Sequence, residues 1–192
     1  MEDSLSRKNF WIGIACFFFA VFLVPLTFAK PKLTEYAERK ASECAVTAQR
    51  SGLVIGVQPI ENSYEQLTLF NIDLSSKGYI SVYIVLENGS SRDSFLFDKT
   101  DIGYATIPRD GGGSSQAGSA GLDVIKLISG SLKIQEILLK KQVHSMTLSP
   151  GESVHGFLYI PVSAGASRQK VHLQVPIIKA GTSETHVLNL IF

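Results

Sequence analysis

Twenty consecutive uncharged residues, Phe10 to Ala29 (FWIGIACFFFAVFLVPLTFA), constrain this chain more than any other feature. A helix of that length covers about 30 Å, the thickness of a bilayer's hydrocarbon core. Arg7 and Lys8 precede the run, and Lys30 and Lys32 follow it. Two readings stay open. As an anchor, the run spans the membrane. As a cleaved signal, its apolar region would be residues 10–24, Pro25 would break the helix, and Thr27-Phe28-Ala29 would be the small-x-small site. That site matches poorly and the apolar region is long, which favours the anchor. The basic residues on the two sides do not choose an orientation. A short tail, one apolar segment and then a β-rich domain is the layout of an exported protein. The domain is therefore expected outside the cytoplasm, membrane-anchored or periplasmic.

The rest of the 192 residues suffices for one domain with its own core. The expected organisation is a signal-anchor or transmembrane helix over residues 1–30, a stalk or short helix over 31–51, and a β-sandwich over 52–192. Eighteen basic and 17 acidic residues, mixed in sign, leave a net charge of +1. No basic stripe collects phosphates, so nucleic acid is not an expected partner. Cys16 lies in the apolar run and Cys44 beyond it. Membrane or cleavage separates the two, so Cys44 is expected to be a lone thiol.

Residues 33–50 are charged and alanine-rich, with Tyr36, Ala37, Lys40, Ala41 and Cys44 loosely at helical spacing. From Gly52 the period becomes two. Strands are expected over residues 53–57, 66–71, 79–88, 94–98 and 102–107. The clearest is 79–88, where Ile80, Val82, Ile84 and Leu86 make an apolar face and Asn88-Gly89-Ser90 ends it. Residues 111–121, rich in Gly and Ser, read as a flexible linker, since no phosphate-binding glycine motif occurs there. Residues 122–143 return to helical spacing through Ile134, Ile137 and Leu138. Strands resume over 144–148, 154–160, 171–178 and 185–191, with a Pro150-Gly151 turn between the first two. Short strands with frequent turns and one helical insertion predict a mainly β fold, an Ig-like antiparallel sandwich.

Four histidines, His144, His155, His172 and His186, lie on the C-terminal strands. His144-Ser145-Met146 matches half of an H-x-M…H-x-M copper arrangement, with imidazole and thioether on one strand face. His155 would have to complete it, but no second methionine stands near, since the only other one is Met1. His144, Met146 and His155 are the candidate metal ligands. The competing expectation is that all four histidines are solvent-side strand positions, with Val171, Leu173 and Val187 turned inward. His172 and His186 could also face each other across the last hairpin. No G-x-S-x-G, HExxH or C-x-x-C is present, and Asp98, Asp101 and Asp110 sit at turns, so no catalytic residue and no cofactor is expected. Asn88-Gly89-Ser90 is formally a glycosylation sequon.

Gly56-Val57-Gln58-Pro59-Ile60, Phe70 and the run from Gly78 to Ser90 resemble small, largely uncharacterised exported bacterial proteins with an Ig-like β-sandwich. Leu148-Ser149-Pro150-Gly151-Glu152 and Gly156-Phe157-Leu158-Tyr159-Ile160-Pro161 match the later hairpin of that group. The resemblance covers about residues 54–162, with Ser81 where the group has a proline. It implies a fold and no particular activity.

The expected function is a non-enzymatic interaction or accessory domain of an envelope assembly. Its partner would be another envelope or membrane protein, besides the membrane through residues 10–29. The alternatives are copper handling through His144 and Met146, or a small-molecule or lipid-binding site between the sheets.

Overall fold

The computed structural model describes residues 32–108, 116–119, 131–162 and 169–192. The chain divides into two units, Met1–Pro31 and Lys32–Phe192. The segment over residues 10–29 lies outside the described residues, and among those described no helix is long and apolar enough to cross a membrane.

The second unit is mainly β. Strands β1 (Val46–Arg50) and β2 (Leu53–Ile60) form a hairpin. Its two-residue turn, Ser51-Gly52, has φ of 53° and 85°, the primed geometry that matches strand twist. Helix α1 (Ser63–Phe70) follows, then β3 (Tyr79–Asn88), β4 (Phe95–Phe97), β5 (Gly103–Pro108) and β6 (Gln116–Ser119). Helix α2 (Leu132–Lys141) leads to β7 (Met146–Leu148), β8 (Ser153–Pro161), β9 (Gln169–Lys179) and β10 (Thr185–Ile191). One antiparallel sheet runs β1-β2-β3-β8. The other is built on β9, which pairs with β10, β4 and β5, while β7 extends β4 and β6 extends β5. The short turn Lys99–Asp101 interrupts what would otherwise be one strand from β4 to β5.

The sheets share an apolar interior. Leu53, Ile55 and Val57 of β2 and Val82, Ile84 and Leu86 of β3 meet Phe95, Phe97, Leu173, Val175, Leu188 and Leu190, all buried. The four-stranded sheet has a second packed face. Tyr83, Val85, Phe157 and Tyr159 point away from the interior and are covered by Ala41, Leu69, Phe70, Leu74 and Leu138. Strand β3 is therefore buried on both sides, which explains its long run of apolar residues.

Several expectations need correction. Residues 66–71 belong to α1. The Asn62 side chain accepts the amides of Tyr64 and Glu65 at 2.8 and 3.1 Å, Asn71 closes the helix at φ 59°, and Gln66, Leu69 and Phe70 (i, i+3, i+4) face inward. The helical spacing over residues 33–50 is not realised: residues 32–40 are irregular, Ala41–Glu43 is a single 3-10 turn, and Val46–Arg50 pairs in the sheet. Within residues 111–121, Gln116–Ser119 is a strand on β5 rather than linker, and the remainder lies outside the described residues. Of the insertion over 122–143, Leu132–Lys141 is helix, and residues 122–130 are not described.

Candidate functional site

Of the candidate ligands His144, Met146 and His155, the last two sit on different sheets and His144 on neither. Met146, opposite Phe97 on β7, is half-buried and packs its side chain on the intersheet core. His144 is exposed in the connection from α2 to β7. His155 is on β8, opposite Val85, with its ring 5.8 Å from Tyr83 and its Nε2 3.7 Å from Glu38 Oε1. Among the described residues, no three His, Cys, Asp or Glu side chains come together to hold a metal ion.

The last hairpin separates its own two histidines. His172 is opposite Ile191, half-exposed, with Nε2 3.1 Å from Asn189 Oδ1. His186 is opposite Ile177 at the other end of the register and is 3 % exposed. The face assigned to β10 is inverted: His186, Leu188 and Leu190 point inward, and Val187 and Ile191 point out. Apolar residues stand on both faces of this strand, so alternation alone does not choose between them.

The groups weighed for chemistry are engaged structurally. Asp98 Oδ1 accepts the Thr100 amide at 2.9 Å, the Thr100 hydroxyl at 2.8 Å and the Ser145 hydroxyl at 2.8 Å. Those hydrogen bonds hold its carboxyl below the usual range. Burial pushes the Cys44 thiol up, away from the thiolate a nucleophile needs, and its Sγ lies 3.7 Å from the Lys40 carbonyl. Asn88 of the formal sequon is 1 % exposed. Its amide donates to the carbonyls of Asp93 (2.8 Å) and Leu148 (3.1 Å), so a glycan has no access to it in the fold.

The most distinctive built feature is the outer layer of the four-stranded sheet. The chain enters it as an extended strap, residues 32–40. The Thr34 amide donates to the Thr68 carbonyl of α1 at 3.0 Å. Lys141 Nζ at the end of α2 donates to the Thr34 carbonyl at 3.2 Å and pairs with Glu35 at 3.1 Å. Tyr36 lays its ring on Tyr83 and Phe157, with centroids at 4.6 and 5.5 Å, and Arg39 stands 5.3 Å over the Tyr36 ring. Ala41 is fully buried, and its amide donates to Glu87 Oε1 at 3.0 Å. Both helices lie on this face and touch each other. Their outward residues include Tyr64 and Leu67 of α1 and Leu132 and Leu139 of α2, all exposed, and Leu33 of the strap, which precedes Thr34, is exposed as well. Sequence reasoning missed this layer because the loose helical spacing of Tyr36, Ala37 and Lys40 points to a helix that the strap does not form.

No family model and no curated protein matches the chain. Solved structures similar to it include a Bordetella pertussis protein assigned the name ApaA (12% identity, 73% of this chain and 89% of that one, TM-score 0.40). Another is the structural-genomics target SoR45 (10% identity, 76% and 87%, TM-score 0.41). At these values neither likeness bears on activity.

Proposed function

We propose that this chain is a non-enzymatic interaction or accessory domain of an envelope assembly, tethered to the membrane by residues 10–29 and facing outside the cytoplasm. The observation that carries the reading is the strap. Residues 32–41, directly after the apolar run, are built into the domain through Tyr36, Thr34 and Ala41. Chain that follows the apolar run so closely and is itself part of the folded domain suits a tethered adaptor. The finer architectural reading, an Ig-like sandwich, belongs to the same proposal and is supported by the two antiparallel sheets and their shared core. The raised Cys44 thiol and the fully engaged Asp98 support a non-enzymatic role. Strand β10 supports a protein partner, being an uncharged sheet edge with Val187 and Ile191 exposed.

The test is fractionation, protease accessibility and affinity capture on cells producing the full chain. The expected result is a membrane-bound chain with Met1 intact, cleaved by protease added to spheroplasts, that captures an envelope protein. A soluble chain beginning at Lys30 would remove the tether. A chain with Met1 intact that resists the protease would remove export.

A further inference from the structure

We infer that the helical layer on the outer face of the four-stranded sheet is the surface the domain lays against the bilayer, with Leu33, Tyr64, Leu67, Leu132 and Leu139 entering the lipid headgroup layer. This rests on the tethered reading above. Three observations lead to it.

The first is reach. Four residues, and so five residue-to-residue steps, separate Ala29, the end of the apolar run, from Thr34, which is fixed to α1 by its hydrogen bond to Thr68. Fully extended, they span roughly 17 Å. The headgroup region of one leaflet accounts for roughly 5–8 Å of bilayer thickness. If the apolar run spans the hydrocarbon core, the entry point of the domain cannot stand far above the headgroups, whichever side of the membrane it occupies.

The second is chemistry. Leu33 and Leu67 adjoin the two residues of that hydrogen bond, and Leu139 lies two residues before Lys141, which also binds Thr34. The strap and helices that meet at this entry point leave these apolar side chains exposed, with Leu132 82% and Tyr64 70% accessible. Exposed apolar residues grouped on one face mark an interaction surface. Tyrosine, with an apolar ring and a polar tip, favours the membrane–water boundary. Lys32, Lys133 and Lys140 are exposed on the same strap and helices, and their long stems let ammonium groups reach lipid phosphates.

The third is direction. Both helices press their other faces onto the sheet through Leu69, Phe70 and Leu138. Their exposed faces therefore point away from the sandwich. Tyr64 and Leu67 are three residues apart on one helix, and Leu132 and Leu139 are seven apart on the other, so each pair shares a helix face.

The test uses the full chain with Trp11→Phe, which removes the only native tryptophan. Single tryptophans are placed by Leu67→Trp or Leu139→Trp on the helical layer. Controls are Leu96→Trp and Ile107→Trp, exposed on the six-stranded sheet. Each chain is reconstituted into phosphatidylcholine vesicles containing lipid with a nitroxide on its choline headgroup. The expected result is co-flotation of all four, with loss of fluorescence for the Leu67→Trp and Leu139→Trp chains and none for the controls. Flotation with the helical-layer tryptophans unquenched, or with the controls quenched as strongly, overturns the assignment and leaves the tether standing. Failure to float overturns tether and assignment together. If the helical-layer tryptophans are unquenched in vesicles but shielded from acrylamide in native membranes, a protein covers the face and the lipid assignment fails.

Discussion

Ala41 lies directly on Gly56: a Cβ built at Gly56 would stand 2.7 Å from the Ala41 Cα and closer still to its carbonyl oxygen. Gly56 faces outward from β2, and Ala41 ends the strap that crosses it. The obstacle is backbone on both sides, so no side chain can rotate away. Gly56→Ala is expected to lift the strap and cost about 1–3 kcal/mol, the range for overpacking. Chemical denaturation measures the loss, and limited proteolysis should show new cleavage between residues 32 and 41. An unchanged midpoint and cleavage pattern would mean that the strap is not held where described.

Tyr83 lies under that strap, 1 % exposed, and its hydroxyl has no hydrogen-bond partner of good geometry. Burial pushes its pKa up to about 12, with the Arg39 backbone opposing. In the unfolded chain the hydroxyl ionises near its ordinary value of about 10. The sign follows from linkage. Below pH 10 both states hold the proton and the contribution is fully present. Between about 10 and 12 the folded state binds more proton than the unfolded, so stability falls as pH rises. The loss is bounded by about 3 kcal/mol at 1.36 kcal/mol per unit. Tyr83→Phe should flatten the alkaline decline and change neutral stability little, because the buried hydroxyl it removes has only a poorly aligned contact with the Arg39 backbone. A series of urea melts from pH 8 to 11.5 checks both statements. An alkaline decline of the same size in the variant would assign it to other groups.

Ile84 is fully buried where β3 meets both β2 and β8, opposite Val57 and Gly156. Ile84→Ala is expected to cost about 2–5 kcal/mol through lost transfer energy and the cavity left behind. Its neighbour across β8 cannot fill the gap, since Gly156 carries no side chain and Val143 backbone packs against it. Equilibrium unfolding measures the cost, and an unmoved curve would contradict the assigned facing.

Strand β3 was legible because a run dominated by β-branched and aromatic residues, six between Tyr79 and Val85, ended at Asn88-Gly89, and the structure has Tyr79–Asn88 as read. The hairpin strand Thr185–Ile191 was legible in extent for the same reason. Its facing was not, because Leu188 and Leu190 compete with Val187 and Ile191, and tertiary packing makes the choice. Helix α1 was misread because Leu67 and Leu69 satisfy a period of two over so short a stretch; the deciding signal was the Asn62 cap, which propensity alone undervalues. The strap over residues 32–40 is misrepresented by the loose helical spacing of Tyr36, Ala37 and Lys40. Its conformation is set by Tyr36 finding Tyr83 and Phe157, residues more than forty positions away, and nothing local encodes that meeting. The placement of the candidate metal ligands was not legible for the converse reason: proximity of His144 and Met146 in sequence says nothing of His155, which the topology carries to the other sheet.

His186 occupies an inward position on β10 in line with Leu188 and Leu190. Neither ring nitrogen has a hydrogen-bond partner, Glu184 Oε1 is 3.5 Å from Nε2 without bonding geometry, and the nearest aromatic ring is Phe95, with centroids 6.4 Å apart. A buried polar ring without partners forfeits its hydration and gains nothing in exchange, a cost of about 1–3 kcal/mol. Leucine has similar bulk and no polar atom to desolvate. His186→Leu is therefore expected to raise stability by about 1 kcal/mol at neutral pH, after allowance for imperfect packing. His186→Ala should lower it, because the gain from removing the polar ring is outweighed by the cavity beside Phe95. Paired thermal melts of the two variants separate the effects. If His186→Leu instead destabilises as much as His186→Ala, the imidazole makes a stabilising contact at that site, and a role for the ring beyond filling space must be sought at the end of β10.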